Sequence, residues 1–455
     1  MNYKITLVLV PVIVILFFLI AEHRETLNNS KVVINIGKEI GKIGIRYGSN
    51  EDSWMEFTQN TLFHNLNKNI GSEYIRIWIS CVSYMNPSMP FDGKTYNFTL
   101  LDDYVNAVLD SNAIPFVVFA NGIESCGQEA NGNPPPSNDY DYANYVEKVV
   151  KHFKNNCVGN LYSKPCNVDD WYFEVWNEPY QDAWWEGNPP RFSLMFNITY
   201  LKIKAITKAK VGGPPGAYAI GSLVGMKRMA SFLANSNPDF ISIHHYGNML
   251  LLNSFADYGE TKKMNDIPLL FYDSILALRQ LAIQTNKSNI EIINSEYNSD
   301  SRAQYMERLD EPFTASWYAS ALINQIKSQE VSIELFYAGT STLRDGGFGM
   351  WDIDGRVFPV YTMKKSFVKY NKKGSSILET VSSSDIDVLA TENEGEKFVT
   401  LVNKKDKVNT IELNIPNGSL KFLLDLRNEK KFLVSGANTA EISLQPYEVK
   451  FLQMI

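Results

Sequence analysis

The hydrophobic positions fall into three regimes. Residues 5–21 form one unbroken apolar run, ITLVLVPVIVILFFLIA, with Lys4 before it and the polar stretch 22–25 after it. Its length lies between a signal-peptide core of about 7–15 residues and a spanning helix of about 18 or more. Cleavage after Ala21 would place Leu19, not a small residue, three positions before the cut. A cleaved signal and a retained membrane anchor both stay open for residues 1–24. In either case Lys4 stays inside, so the rest of the chain is expected outside the cell, secreted or anchored through residues 5–21.

From about residue 40 to 371 short apolar runs alternate with longer amphipathic ones. Strands are predicted at 43–47, 74–79, 115–120, 171–176, 210–213, 240–246, 290–295 and 332–337. Helices are predicted between them, at 56–68, 100–111, 139–155, 191–208, 225–235, 268–285, 312–328 and 359–370. Most of the strands are apolar throughout, as expected where both faces are buried. Eight β/α repeats predict a TIM barrel over 40–371. A doubly wound sheet is the competitor, but neither G-x-G-x-x-G nor G-x-x-x-x-G-K-[ST] occurs. The glycine-rich stretch 346–349 after the last strand reads as a loop turn. Beyond Asn371 the pattern changes to short alternating runs separated by turn residues, and tryptophan disappears. Residues 375–455 therefore read as a β-sandwich, and a strand at 31–36 is a candidate to pack on it. The predicted fold class is α/β, a (β/α)8 barrel with a C-terminal all-β sandwich and an N-terminal hydrophobic segment.

Charge and cysteine content narrow the partners. There are 43 Lys and Arg against 50 Asp and Glu, a net −7. Nucleic acid is therefore not an expected partner, since binding it needs a basic footprint. Aromatic residues make up 13% of the chain, enough to supply core, strands and a sugar-binding cleft. Of the four cysteines, Cys157 and Cys166 bracket the short loop CVGNLYSKPC and are expected to pair. Elimination then leaves Cys81 with Cys126, one of three pairings possible on paper. No C-x-x-C spacing suggests zinc. Sequons begin at Asn28, Asn97, Asn197, Asn286 and Asn417, each a candidate glycosylation site in an exterior protein.

In a barrel of this kind chemistry sits at the C-terminal ends of the strands. EYIRIW carries Arg76; FEVWNEPY ends in Asn177 and Glu178; ISIHHYG brings His244, His245 and Tyr246; IINSEYN brings Glu296. Two glutamates at two strand tips form a natural acid and nucleophile pair for cleaving a glycosidic bond. One must stay protonated and the other ionised, which a neighbouring arginine favours. Arg76 inside an apolar strand needs a partner, and a purely structural ion pair is its alternative role. Glu174 reads as an inward-pointing structural carboxylate. Strand alternation puts His244 and Tyr246 on one face and His245 on the other. Trp184 and Trp185 follow in a loop, where stacking on sugar and packing within the loop are both open.

EVWNEP, ISIHHYG, SEYNS and GGFGMWDIDGRVFPVYTMKKSF together resemble glycoside hydrolase family 39, the β-xylosidase and α-L-iduronidase family. The resemblance spans about 40–371, and the sandwich tail also fits the family's architecture. N-E-P recurs through the wider clan of related barrels; its combination with H-x-Y and the later glutamate is the more specific sign. The resemblance implies a retaining hydrolase of O-glycosidic bonds in poly- or oligosaccharides, with no metal and no cofactor. By the same token Glu178 is the general acid/base and Glu296 the nucleophile. Asn177 would bond the sugar 2-hydroxyl, Arg76 and Tyr246 would support the nucleophile, and His244 would line the site. The chain departs from the family on strand 8: members often have Trp where this chain reads ELFYAGTST. Phe336 or Tyr337 is then the candidate sugar platform, which leaves the substrate open. H-H-Y also resembles endo-acting β-glucuronidases of the heparanase type. The alternatives are an endo-glucanase or endo-glucuronidase of the same clan, or a non-catalytic carbohydrate-binding surface protein.

Overall fold

The computed structural model describes residues 31–51, 54–80, 89–92, 94–122, 134–180, 185, 187–216, 223–247, 267–301, 312–341, 347–416, 422–425, 431–433 and 438–455. The apolar segment 5–21, Trp184, Cys81 and Cys126 lie outside these residues. No helix among the described residues is long and apolar enough to cross a membrane.

The first strand, β1 (Lys31–Lys42), precedes a closed parallel barrel of eight strands. These are β2 (Arg46–Glu51), β3 (Tyr74–Ile79), β4 (Ile114–Phe119), β5 (Tyr172–Val175), β6 (Lys210–Gly212), β7 (Phe240–Tyr246), β8 (Glu291–Asn298) and β9 (Val331–Phe336). Each strand pairs with the next, and β2 closes on β9. The closed parallel ring alternating with helices is a TIM barrel. Its first strand begins three residues later than the sequence pattern predicts, because Ile43 is taken by the other domain. The Ile43 N–H donates to Ser375 O at 2.8 Å and its carbonyl accepts from Gly374 at 2.7 Å.

Strand β3, YIRIWI, shows how alternation builds the barrel. Ile75, Ile77 and Ile79 face outward into the large core shared with the helices. Tyr74, Arg76 and Trp78 face inward and mark three levels. At the bottom Tyr74 meets Phe116, Tyr172 and Phe240, and Arg46 donates to Tyr74 Oη at 2.9 Å and Tyr172 Oη at 2.8 Å. Arg76 occupies a polar middle level. Trp78 joins Val118, Ala120 and the partly buried Tyr337 at the mouth. A polar belt is thus held between two apolar layers.

The helices are set by local signals. Asn60, Asn138 and Asn188 cap the helices Thr61–Ile70, Asp139–Val158 and Pro189–Lys204 by accepting from a backbone N–H in the first turn. Pro359 opens the helix Pro359–Tyr370, where its missing N–H costs nothing. From that helix Lys364 reaches the barrel wall. Its ammonium lies 3.1 Å from Glu334, and both side chains are fully buried. Tyr297 Oη (2.6 Å) and Tyr318 Oη (3.1 Å) also donate to Glu334.

After the barrel come β10 (Ser376–Ser382), β11 (Ile386–Asn393), β12 (Glu396–Asn403), β13 (Asn409–Asn414), β14 (Phe422–Asp425), β15 (Lys431–Leu433), β16 (Thr439–Leu444) and β17 (Val449–Met454). They form one nine-stranded sheet in the order β15-β14-β17-β12-β11-β10-β1-β13-β16. β1 runs to Lys42, farther than the predicted strand at 31–36, and lies inside this sheet, antiparallel to β10 and parallel to β13. Residues from both ends of the order, Leu423 and Ile442, share one core with Val32, Val388 and Leu401. The sheet therefore folds over on itself as a sandwich. It docks on the barrel through Ser316 Oγ to Asn403 O (2.9 Å) and the tilted ring contacts of Tyr370 with Phe398 and Phe451. The expected Cys157–Cys166 disulfide is present, tying the end of the helix Asp139–Val158 to the following loop.

Candidate active site

The polar level of the barrel converges on Arg76. Its Nε and Nη2 both donate to Glu174 Oε2, at 2.9 and 2.6 Å. Nη1 donates to Asn50 Oδ1 at 2.9 Å and to Glu296 Oε1 at 2.7 Å, and Nη2 also reaches Asn177 Oδ1 at 3.2 Å. All five N–H groups of the guanidinium are used. Burial works against its charge, but Glu174 and Glu296 outweigh that and raise its pKa. Arg76 is thus a fully buried cation that fixes one carboxylate from below and a second at the mouth. One edge of the guanidinium holds the interior Glu174 and the other reaches Glu296, the carboxylate that the sequence reading paired with it.

Glu296 leaves β8 just after a shift in register against β7, beside His244. Its Oε2 accepts from Tyr246 Oη at 2.7 Å. Burial pushes its carboxyl up to about 7, against the Arg76 charge and the hydrogen bonds from Tyr246 and Arg76. Tyr246 is itself pushed well above its ordinary range, by burial first and then by Glu296, so its hydroxyl remains a donor.

Glu178 follows β5 on a turn of left-handed backbone, with φ of +67° at Trp176 and +43° at Glu178. Such values in bulky residues cost roughly 1–3 kcal/mol each and persist where surroundings enforce them. Here Trp176 packs edge-on against Trp185 and tilted against Tyr142. The backbone of Trp176 and Asn177 stays bonded to Phe119 and Ala120 of the neighbouring strand. The turn lifts Glu178 over the mouth. There its Oε1 lies 2.7 Å from His244 Nδ1, which is 3.4 Å from Glu296 Oε2. His244 is pushed well below its ordinary pKa by burial, by the Arg76 charge and by His245, and is neutral. It therefore donates to a Glu178 carboxylate or accepts from the carboxylic acid.

Atoms of Glu178, His244 and Glu296 all lie within 4.8 Å of one another. The same set could be drawn as metal ligands. The Arg76 cation already bonded to Glu296 opposes a second cation there.

Six of the sequence-predicted residues are brought together: Asn177, Glu178, His244, Tyr246 and Glu296 at one mouth, with Arg76 beneath them. Tyr337 joins them, its ring 6.4 Å from that of Tyr246. Phe336 points the other way, fully buried against Tyr318 and Tyr297, so of the two platform candidates only Tyr337 reaches the mouth. His245 faces the helices, bonded to Ser274 and edge-on to Phe271. Trp185 is buried against Trp176 and Phe192, which settles it as loop packing. Glu174 is inward and structural, as read. Three residues escaped the sequence reading. Asn50, at the end of β2, accepts from Arg76 and donates to Ser295 O and Leu335 O. Phe348, from the stretch read as a plain turn, brings its ring to 5.1 Å from Tyr337. Asn298 sits two residues past Glu296. Strand position alone would have flagged Asn50 and Asn298, since both are polar groups at barrel-strand ends.

Comparison with known proteins bears on the family and the fold. The family model for glycosyl hydrolases family 39 matches residues 40–408. A β-xylosidase of Caldicellulosiruptor saccharolyticus is 24% identical over 412 residues, 84% of this chain and 80% of that protein. Among solved structures, a monomeric β-xylosidase from Caulobacter crescentus superposes with a TM-score of 0.70 at 16% identity, covering 93% of this chain and 99% of that one. A family 39 enzyme from Xanthomonas axonopodis pv. citri gives 0.67 at 16% identity, covering 94% and 98%. The chain belongs to glycosyl hydrolases family 39 and is a glycosyl hydrolase.

Proposed function

We propose that this enzyme hydrolyses β-xylosides with retention of configuration, with Glu296 as nucleophile and Glu178 as acid/base. The observation that carries the reading is the close approach of the two carboxylates, with an oxygen of each within the same 4.8 Å cluster. Retaining enzymes hold the carboxyls about 5–5.5 Å apart, and inverting ones about 6.5–9.5 Å to admit a water. The sugar is argued from the relative of Caldicellulosiruptor saccharolyticus and the Caulobacter crescentus structure, both β-xylosidases.

In the first step Glu296 Oε attacks the anomeric carbon, and the bond to the leaving oxygen breaks. Glu178 gives its proton to that oxygen, so the alcohol leaves neutral and a glycosyl ester forms on Glu296. In the second step Glu178, now a carboxylate, takes a proton from water. The resulting hydroxide displaces the ester, releasing the sugar and restoring both groups. Arg76 holds Glu296 Oε1 and Tyr246 holds Oε2, which fixes the orientation of the attacking carboxylate. Asn177, beside Glu178 and accepting at Oδ1 from Arg76, would donate from its Nδ2 to the 2-hydroxyl. Secretion, or anchoring by residues 5–21, would put the enzyme where plant or microbial polysaccharide is met.

A 2-fluoro-β-xyloside with a good leaving group tests the assignment. It should inactivate the enzyme, and peptide mapping should find the label on Glu296. A label on another residue, or a first-released product of inverted configuration by proton NMR, would overturn it.

A further inference from the structure

Strand β9 ends without the tryptophan often found in this family, and two rings from separate segments stand in that part of the mouth. Tyr337 follows β9 directly. Phe348 comes from the next loop. Their centroids are 5.1 Å apart, and each lies about one ring's width from Tyr246, at 6.4 and 6.5 Å. Tyr246 is the residue whose hydroxyl holds Glu296. Both rings are half-buried, and Tyr337 packs on Trp78, Val118 and Ala120. Together they make one aromatic wall beside the nucleophile.

A single indole is held by its own two side-chain torsions. Two rings on different segments must be held relative to each other. One side chain does this. Asn298 Nδ2 donates to Tyr337 O at 2.6 Å and to Phe348 O at 3.2 Å, spending both of its hydrogens on the two ring-bearing residues. Its Oδ1 accepts from Ser299 N at 2.7 Å, which fixes the rotamer. Ala338 N adds a bond to Phe348 O at 2.9 Å. The turn can close this tightly because residue 349 is glycine: a Cβ there would meet Ser341 N at 2.3 Å and Trp351 O at 2.5 Å.

We propose that Asn298 is a positioning residue that clamps Tyr337 and Phe348 into one wall, and that this wall sets which sugars fit beside Glu296. It admits a pentoside and crowds the exocyclic hydroxymethyl of a hexoside. The inference rests on the β-xyloside reading for its substrate. The clamp itself stands on the geometry.

The test is the ratio of kcat/KM for aryl β-xyloside over aryl β-glucoside, in wild type, Asn298→Ala, Asn298→Ser and Phe348→Ala. A pocket wall discriminates a single carbon substituent by about tenfold or more. Asn298→Ala and Phe348→Ala should both lower the ratio by about that factor, and Asn298→Ser by less, since one hydroxyl reaches one carbonyl only. If Asn298→Ala does not fold, Asn298→Ser decides. Loss on both substrates with the ratio unchanged would make Asn298 merely structural and overturn the proposal. A second readout needs no turnover. With 4-fluorophenylalanine at position 348, the fluorine resonance should be single in the otherwise native protein and shifted or split by Asn298→Ala. An unchanged resonance also overturns the clamp. Absence of wild-type activity on every aryl β-glycoside would instead fail the β-xyloside reading, and the fluorine experiment would still decide the clamp.

Discussion

Arg76 gives Glu296 one N–H, at 2.7 Å, and gives Glu174 two, at 2.9 and 2.6 Å. The interior carboxylate therefore takes the larger share of the guanidinium, and the carboxylate at the mouth keeps an oxygen for Tyr246. A lysine at 76 would keep the charge and lose the planar fork. A hydrogen bond to a charged group contributes roughly 1.5–3 kcal/mol, which is about 10- to 100-fold in rate. Arg76→Lys should lower kcat/KM by at least that factor while circular dichroism shows a folded barrel. Activity within twofold of wild type would show that Glu296 does not depend on the fork.

The Tyr246 hydroxyl favours the charged form of Glu296, and burial opposes it. Removing the hydroxyl therefore raises the Glu296 pKa. The proposed reaction needs Glu296 ionised, so the acid limb of kcat/KM against pH must move to higher pH in Tyr246→Phe. One such bond is equivalent to roughly one pH unit. A limb that stays in place, or moves down, would break the link between Tyr246 and the attacking group.

How much of this was legible in the sequence depends on the type of signal. The barrel strands announced themselves because both faces are buried, and the inward polar residues Arg76, Glu178 and Glu296 then stood out against apolar runs. The start of the first barrel strand did not, since Ile43 is as apolar as a barrel residue but pairs with Ser375 across the domain junction. The full length of β1 was hidden for a related reason. Its second half, Gly37–Lys42, is largely exposed and polar, and is strand only because β10 lies beside it. At the site, Glu178 was legible from N-E-P, while Phe348 was not. Its loop carries the glycines of a turn, and only the third dimension brings its ring to Tyr337.

Lys364 and Glu334 form a buried pair on the outer face of the barrel wall, joining the helix Pro359–Tyr370 to β9. Breaking such a pair leaves one charge buried without its partner, at a cost of about 3–5 kcal/mol. Lys364→Met should reduce the urea unfolding free energy by about that amount. Any folded fraction should keep the wild-type KM, because no group at the mouth touches Lys364. A change of less than 1 kcal/mol, roughly the worth of a surface pair, would show that the pair is not relied upon.

Glu178→Ala separates the two halves of the proposed reaction. With an activated aryl β-xyloside the leaving group departs without a proton donor, so Glu296 can still form its ester. The second half then stalls, because no carboxylate at 178 is left to take a proton from water. The variant should show a burst of aryl alcohol near one equivalent, followed by a slow steady state. With a poor leaving group both halves should be slow and no burst should appear. Azide needs no deprotonation and fits the space the side chain vacates. It should raise the steady-state rate at least tenfold and give β-xylosyl azide, the configuration produced when attack occurs on the face that Glu296 does not hold. The same salt should do nothing for Glu296→Ala in this sense: there azide would take the nucleophile's own place and give the α-azide. If Glu178→Ala yields the α-azide instead, the two glutamates have exchanged roles. If azide rescues neither variant although both are folded, the double displacement does not run through this pair.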